Sequence, residues 1–166
     1  SMLELSRAYA SHRVDSAEYR RAVKPFERNF GAYIGMGGDA LFYDIFLITP
    51  QGEIIYTYKH EADFATNLIN GPYRNSQLAQ VFRESRMTFE SSISDFEHYA
   101  PSNESAAFVS APIIREGALL GVVAFQLNTQ HIYQLAMDNT GLGATGETPL
   151  VKLTGAGKAV FVAPLR

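Results

Sequence analysis

Residues 141–146 read Gly-Leu-Gly-Ala-Thr-Gly, the G-x-G-x-x-G spacing that elsewhere wraps backbone amides around a pyrophosphate. That chemistry needs a strand before the glycines, a helix opening on the last of them, and an acid roughly 20 residues later for the ribose. None of this context is met. Upstream, Ile132, Leu135 and Ala136 fall at helical spacing behind Thr129, a good N-cap, so the glycines follow a helix. Downstream, Pro149 and the apolar Leu150-Val151 predict a strand, and no Asp or Glu occurs after Glu147. The stretch is read as a helix C-cap and a flexible joint, not a phosphate cradle.

Other reactive patterns fare no better. G-x-S-x-G is absent, so there is no nucleophile elbow. His60-Glu61-Ala62-Asp63 gathers potential ligands but lacks the H-E-x-x-H spacing that sets two imidazoles on one helix face, and it reads as solvated surface. Asp44, beside Tyr43 at a strand start, has two readings, a buried acid and the commoner one, an acid pointing outward from the first strand pair. The histidines, His12, His60, His98 and His131, are scattered, and there is no cysteine. No catalytic residue, metal site or cofactor is predicted.

The elements around these residues are clearer. Leu5, Tyr9, Tyr19, Val23 and Phe26 recur at helical spacing over the first thirty residues, predicting one or two amphipathic helices. Asp15-Ser16-Ala17-Glu18 has capping-box spacing that restarts the helix, and Pro25 is expected to kink it or begin another segment. Residues 43–49 and 53–59 flank Pro50-Gln51-Gly52 as a hairpin, and residues 106–114 and 118–127 flank Arg115-Glu116-Gly117 as a second. Between them lie a long irregular stretch, a helix capped at Asn75-Ser76 and bearing Leu78, Val81 and Phe82, and a weak strand over 92–99. Pro112 argues for a sheet edge or bulge. The order predicts an α+β domain: an antiparallel sheet of about five strands with helices packed on it.

Composition excludes further classes. The 166 residues carry a formal charge of −3 with acids and bases interspersed, so no basic stripe offers a nucleic acid a footprint. No run of about 18 apolar residues reads as a membrane span. Ser1 before Met2 reads as a cloning remnant, and the start as an excision point.

Tyr43-Asp44 with Phe46-Leu47-Ile48, then Gly52, Tyr56-Thr57, Glu61, Asp63-Phe64, Thr66-Asn67-Leu68, Gly71-Pro72-Tyr73-Arg74, Ser76 and Leu78-Ala79 form an ordered series. It continues through Tyr99-Ala100-Pro101-Ser102, Ala106-Ala107-Phe108, Pro112-Ile113, Gly121-Val122, Gln126, and Gly141-Leu142-Gly143 with Thr145-Gly146-Glu147-Thr148. Over 43–148 the chain resembles the extracytoplasmic Cache sensor domains of bacterial sensor histidine kinases and methyl-accepting chemotaxis receptors. The resemblance implies a PAS-like five-stranded antiparallel sheet with a long N-terminal helix leading from a transmembrane segment of a parent receptor. It implies a periplasmic location for this portion of an inner-membrane protein, with no catalytic activity of its own. The alternative from a different class is a structural dimerisation module with a closed, empty pocket; Phe108, Phe125 and Tyr56 would pack it shut. The organisation expected is a helical segment over 1–40, a sensor module over 41–140, and over 141–166 a junction with the start of a partial second module. There is no Trp, so the Arg-and-Trp pattern by which amino-acid-sensing relatives grip a carboxylate is not met.

Binding residues concentrate on loops held by a rigid scaffold, which directs attention to 61–74 and 95–105. The candidates are the aromatic walls Tyr73 and Tyr99, the hydrogen-bonding groups Arg74, Asp95 and Ser102, and Ser110 and Gln126 on the strand floor. The expected partner is a small molecule: an organic acid would use Arg74, an amine Asp95. A homodimer through the N-terminal helix is also expected. For the glycine stretch, NAD or ATP should leave the melting temperature unchanged. Saturable binding abolished by a bulky residue in place of Gly143 would overturn that reading.

Overall fold

The near-continuous apolar run in Phe42–Ile48 and the β-branched, aromatic run Ile54–Thr57 form strands β1 and β2, joined at Gly52, whose φ of +90° suits glycine. In the computed structural model, which describes residues 1–10, 14, 16–31, 33–34, 40–129, 133–134, 138, 140–141, 151–153 and 158–161, they follow helices α1 (Met2–Ala10) and α2 (Ala17–Phe30). After them come helix α3 (Gln77–Thr88), the short strands β3 (Ser92–Ile93), β4 (Glu97–Tyr99) and β5 (Glu104–Ala106), then β6 (Phe108–Arg115) and β7 (Ala118–Leu127). A last pair, β8 (Val151–Leu153) and β9 (Ala159–Phe161), forms a separate two-stranded ladder.

The main sheet is antiparallel in the order β2-β1-β7-β6-β3, and β4 pairs with β5 outside it. This is the five-stranded α+β arrangement expected. The weak strand over 92–99 is split in two: Ser92 and Ile93 pair with β6, whereas Glu97–Tyr99 turn away to pair with β5. Pro112 sits where β6 is an edge, because β3 reaches only Ser110 and Val109, so the missing N–H leaves no β3 bond unmade.

The sheet buries both faces. On one, α1 and α2 set Leu5, Tyr19 and Val23 against Ile45, Leu47, Ile55 and Tyr56, with Tyr9 and Phe26 half-buried beside them. The predicted stripe thus packs on the sheet, and the Tyr19 hydroxyl donates to the Ile55 carbonyl at 2.7 Å. The α2 cap is Ser16, whose Oγ accepts from Tyr19 N at 3.1 Å. α2 runs on through Pro25, whose side chain lies on the exposed face.

On the other face, Leu78, Ala79, Val81 and Phe82 of α3 pack on Phe46, Ile48, Phe108, Val122 and Ala124. Each large apolar side chain buried here contributes about 1.5–3 kcal/mol. Ser110 Oγ donates to the Val81 carbonyl at 2.9 Å and lies 2.8 Å from Ser85 Oγ, so two buried hydroxyls lock helix to strand. Ser76 caps α3 by accepting from Ala79 N, and Glu97 accepts from Gln77 N at 2.7 Å, placing a carboxylate at the positive end of the helix.

The central strands leave no spare room. A Cβ added at Gly121 would stand 2.4 Å from the Ile48 carbonyl oxygen, a backbone atom that cannot step aside. Gly121→Ala should therefore lower stability by about 1–3 kcal/mol in urea unfolding, the usual cost of overpacking.

Candidate functional site

One row of side chains crosses the α3-covered face. Asp44 on β1 stands opposite Gln126 on β7, which stands opposite Phe108 on β6. Residues directly opposite in a ladder share a face, so the acid and the amide project together. A bulge makes this possible. The register passes from Phe42 opposite Leu127 to Asp44 opposite Gln126, leaving Tyr43 as an extra residue. Phe42 accordingly packs under the N-terminal helices, its ring 4.5 Å from that of Phe125, while Asp44 enters the other side. Tyr43 is re-aimed so that its hydroxyl donates to Glu61 Oε1 at 2.6 Å, and the Lys59 ammonium lies 4.8 Å from its ring centre.

Asp44 is fully buried, and its two oxygens live differently. Oδ1 accepts from the backbone amides of Ile45, Tyr58 and Lys59 at 2.7, 2.8 and 3.1 Å, pinning the chain as it leaves β2. Oδ2 is buried with no partner. The chain then folds back along β2 through Ile54 N to Thr66 O and Leu68 N to Gly52 O, at 2.9 and 2.8 Å. The irregular stretch is thus an ordered cover, which carries Asp63 inward. Asp63 Oδ2 accepts from the Tyr99 hydroxyl at 2.7 Å, and its Oδ1 is orphaned in the same way. Tyr99 packs edge-on against Phe108 at 4.9 Å and tilts against Tyr73 at 6.0 Å. Gln126 donates from Nε2 to Ser102 Oγ at 3.0 Å, leaving Oε1 unpartnered, and Glu61 Oε2 is a fourth such atom.

These four atoms are all acceptors, a fifth unpartnered atom being the Tyr56 hydroxyl in the core under the N-terminal helices, and among the described residues no lysine or arginine forms an ion pair with Asp44, Glu61 or Asp63. Burial raises the Asp44 carboxyl from an ordinary 3.8 to about 7, against the opposing pull of its three amide donors, with Asp63 adding repulsion. Burial raises Asp63 as well, partly offset by the Tyr99 hydrogen bond. Burial followed by the Asp63 charge raises the Tyr99 hydroxyl well above its usual value, keeping it a donor. Among the described residues no three His, Cys, Asp or Glu side chains are arranged to hold a metal ion.

Of the residues singled out from sequence, Tyr99, Ser102 and Gln126 meet in this cluster with Tyr73 at its wall. The rest stand apart from it. Ser110 is buried beneath α3, its hydroxyl engaged by Val81 and Ser85. Arg74 is exposed, donating to the Gly71 carbonyl at 3.3 Å. Asp95 is exposed, and its Oδ1 accepts from Phe96 N at 2.7 Å. Asp44 and Asp63, read from sequence as outward and solvated, are both 0% exposed. For Asp44 the parity of Phe46 and Ile48 was the missed signal; for Asp63 no local pattern exists, because tertiary folding of the cover buries it. Phe108 lies on the α3 face, but Phe125 and Tyr56 pack against Phe30, Phe42 and Phe26 on the other, so these rings do not converge to plug one cavity. The joint proposed over Gly141–Gly146 and the helix over 129–137 lie largely outside the described residues. An open groove of about 380 Å³ follows the α1–α2 seam, lined by Glu4, Arg7, Glu18 and Arg21.

No protein-family model and no curated protein matches the chain. Solved structures do. The sensor domain of the V. cholerae histidine kinase DctB aligns with a TM-score of 0.52 at 19% identity, over 81% of this chain and 46% of that one. The ligand-binding domain of the Pseudomonas aeruginosa PAO1 amino-acid chemoreceptor PctC, in complex with GABA, gives 0.51 at 16% identity, over 80% and 52%. That of PctB from the same organism, in complex with L-Arg, gives 0.54 at 15%, over 84% and 51%. The chain spans about half the length of each. At these identities the likeness establishes the fold, the PAS-like sensor-domain architecture anticipated from the sequence.

The buried acids make stability depend on pH. With its folded value raised, Asp44 holds a proton that the unfolded chain releases, so its contribution is intact below about pH 4 and is lost as pH rises to about 7. The ligand-free protein should melt lower at pH 8 than at pH 5, reflecting a stability loss on the order of 3 kcal/mol at most from this group. Asp44→Asn keeps an oxygen for the three amides and removes the charge, so it should raise the melting temperature at pH 8 and flatten the profile. An unchanged slope in that variant would overturn the assignment.

Proposed function

We propose that the chain is the extracytoplasmic small-molecule-sensing domain of a bacterial transmembrane receptor of the histidine kinase or chemotaxis class. The observation that carries this reading is the set of buried, unpartnered acceptors on Asp44, Asp63 and Gln126 beneath an ordered cover. A domain that only transmits force has no use for such groups, each of which costs stability when left unpaired. A binding site does, because its ligand completes them. The solved domains of similar fold, PctC with GABA and PctB with L-Arg, support the same role.

In this reading the pocket lies between the sheet, the cover over 60–76 and the β4–β5 hairpin. Tyr73, Tyr99, Ser102 and Gln126 line it, while Arg74 and Asp95 are exposed outside it and Ser110 is engaged beneath α3. The acceptors are closed off from solvent, so entry requires the cover to lift, as lids do over many sites. The domain catalyses no reaction and carries no cofactor. Residues 1–40 link it to a preceding membrane segment, 41–140 form the sensor module, and 141–166 begin a second module. Dimerisation through the N-terminal helices belongs to the same proposal.

The test is a thermal-shift screen of the purified domain against organic acids, amines, amino acids and sugars. A compound at one hundred times its Kd should stabilise the protein by about 2.7 kcal/mol. The shift should disappear in Gln126→Leu and in Tyr99→Ala. A complete absence of binders, with a helix-mediated dimer as the only property of the domain, would favour the structural module instead.

A further inference from the structure

We infer that the molecule received by this pocket is a small organic ammonium bearing N–H donors, bound through Asp44 Oδ2, Asp63 Oδ1 and Gln126 Oε1. The inference rests on the sensing reading and narrows it to one ligand chemistry.

It starts from the balance of donors and acceptors. The Tyr99 hydroxyl donates to Asp63 and one N–H of the Gln126 amide to Ser102, and the unpartnered Tyr56 hydroxyl belongs to the core under the N-terminal helices. The inward-facing atoms left over are oxygens. An incoming carboxylate or phosphate would add acceptors where acceptors are in surplus, and negative charge beside two buried acids. A neutral hydroxyl compound would supply donors but leave the carboxylates without a counter-charge, which burial makes costly. An ammonium supplies both: a primary amine brings three N–H donors and one positive charge.

Arg74, Arg83 and Lys59 do not answer this need. Arg74 is exposed and bonded to Gly71, and Arg83 donates to the Arg74 carbonyl at 2.8 Å. Lys59 is exposed, with its ammonium against the outer Tyr43 ring. The acid proposed from sequence for an amine, Asp95, is replaced in this role by two acids on the sheet and its cover. Gln126 is the independent witness. It belongs to a different strand from either acid, is 1% exposed, faces Asp44 across the ladder, and also leaves its acceptor free.

Affinity should follow the charge state of the acids. Asp63 from the cover acts on Asp44, and Asp44 acts in turn on Tyr43 of its own strand and on Tyr56 of β2, with Glu61 and Glu104 also acting on Tyr43. All are acids or phenols, so acidification fills the cluster with protons that compete with an ammonium.

The probes are ethanolamine and 1,4-diaminobutane as primary amines, choline as a cation without N–H donors, and succinate as an anion, measured by thermal shift and calorimetry. The primary amines should bind, choline and succinate should not, and amine affinity should fall as pH drops from 8 to 5.5. Asp44→Asn and Asp63→Asn, each checked for a native melting transition, should weaken amine binding roughly 10- to 100-fold. If one variant fails to fold, the other and the wild-type pH profile decide. Succinate binding that is lost in Gln126→Leu would keep the sensing reading and overturn the ammonium. Failure of both primary amines to bind between pH 6 and 9, or amine binding indifferent to both Asn variants, would overturn it as well.

Discussion

Three backbone amides converge on one oxygen of Asp44, and much of the domain is organised around that contact. The donors come from Ile45 on β1 and from Tyr58 and Lys59 just past β2, so a single carboxylate oxygen fixes where the first hairpin ends. The following segment is thereby started in the direction that carries it back along β2 to Thr66 and Leu68. With one oxygen saturated by charge-assisted bonds, the carboxylate is held in a single orientation. The other oxygen is consequently held pointing into the interior without a partner.

The bulge at Tyr43 complements this contact. In an uninterrupted strand Phe42 and Asp44 would share a face. The extra residue separates them, giving Phe42 to the aromatic contacts under the N-terminal helices and Asp44 to the polar cluster. The two faces of the sheet therefore divide the work. The α1–α2 face is an apolar junction of Leu, Val, Ile and aromatic side chains, and the α3 face combines an apolar half under the helix with a polar end under the cover. β1 serves both, since Ile45 and Leu47 support the helices while Asp44 faces the cluster.

The polar end is electrostatically unbalanced by construction. Buried carboxylates are ordinarily paired with cations, or lie near enough to water to remain charged. Here Asp44 and Asp63 have neither, and burial shifts both toward the protonated form. The Tyr99 hydroxyl stabilises one oxygen of Asp63 and closes the cluster against Phe108, so the aromatic wall and the acids form one connected network. Removing one member of such a network is expected to disturb the others.

The hairpins, the amphipathic N-terminal segment and the Ser76 cap were legible in the sequence, because each depends on local rules: turn residues between β-rich runs, apolar spacing, and a hydroxyl ahead of a helix. The fold class followed from the order of those elements. Tyr99, Ser102 and Gln126 could be nominated as polar or aromatic residues on loops and floor, but their meeting could not, since β4, the turn after it and β7 are brought together only by strand pairing and the β4–β5 excursion. Asp44 was half legible: its parity with Phe46 and Ile48 points inward, whereas its charge argues outward, and only the three amides from Ile45, Tyr58 and Lys59 resolve the conflict. Asp63 was not legible at all. Beside His60 and Glu61 it has the composition of a solvated surface, and it is buried because the cover folds over the sheet edge and delivers it to Tyr99, 36 residues away in the chain. Local propensity is written residue by residue, but the burial of a charge is decided by which distant donors the folded chain brings to it.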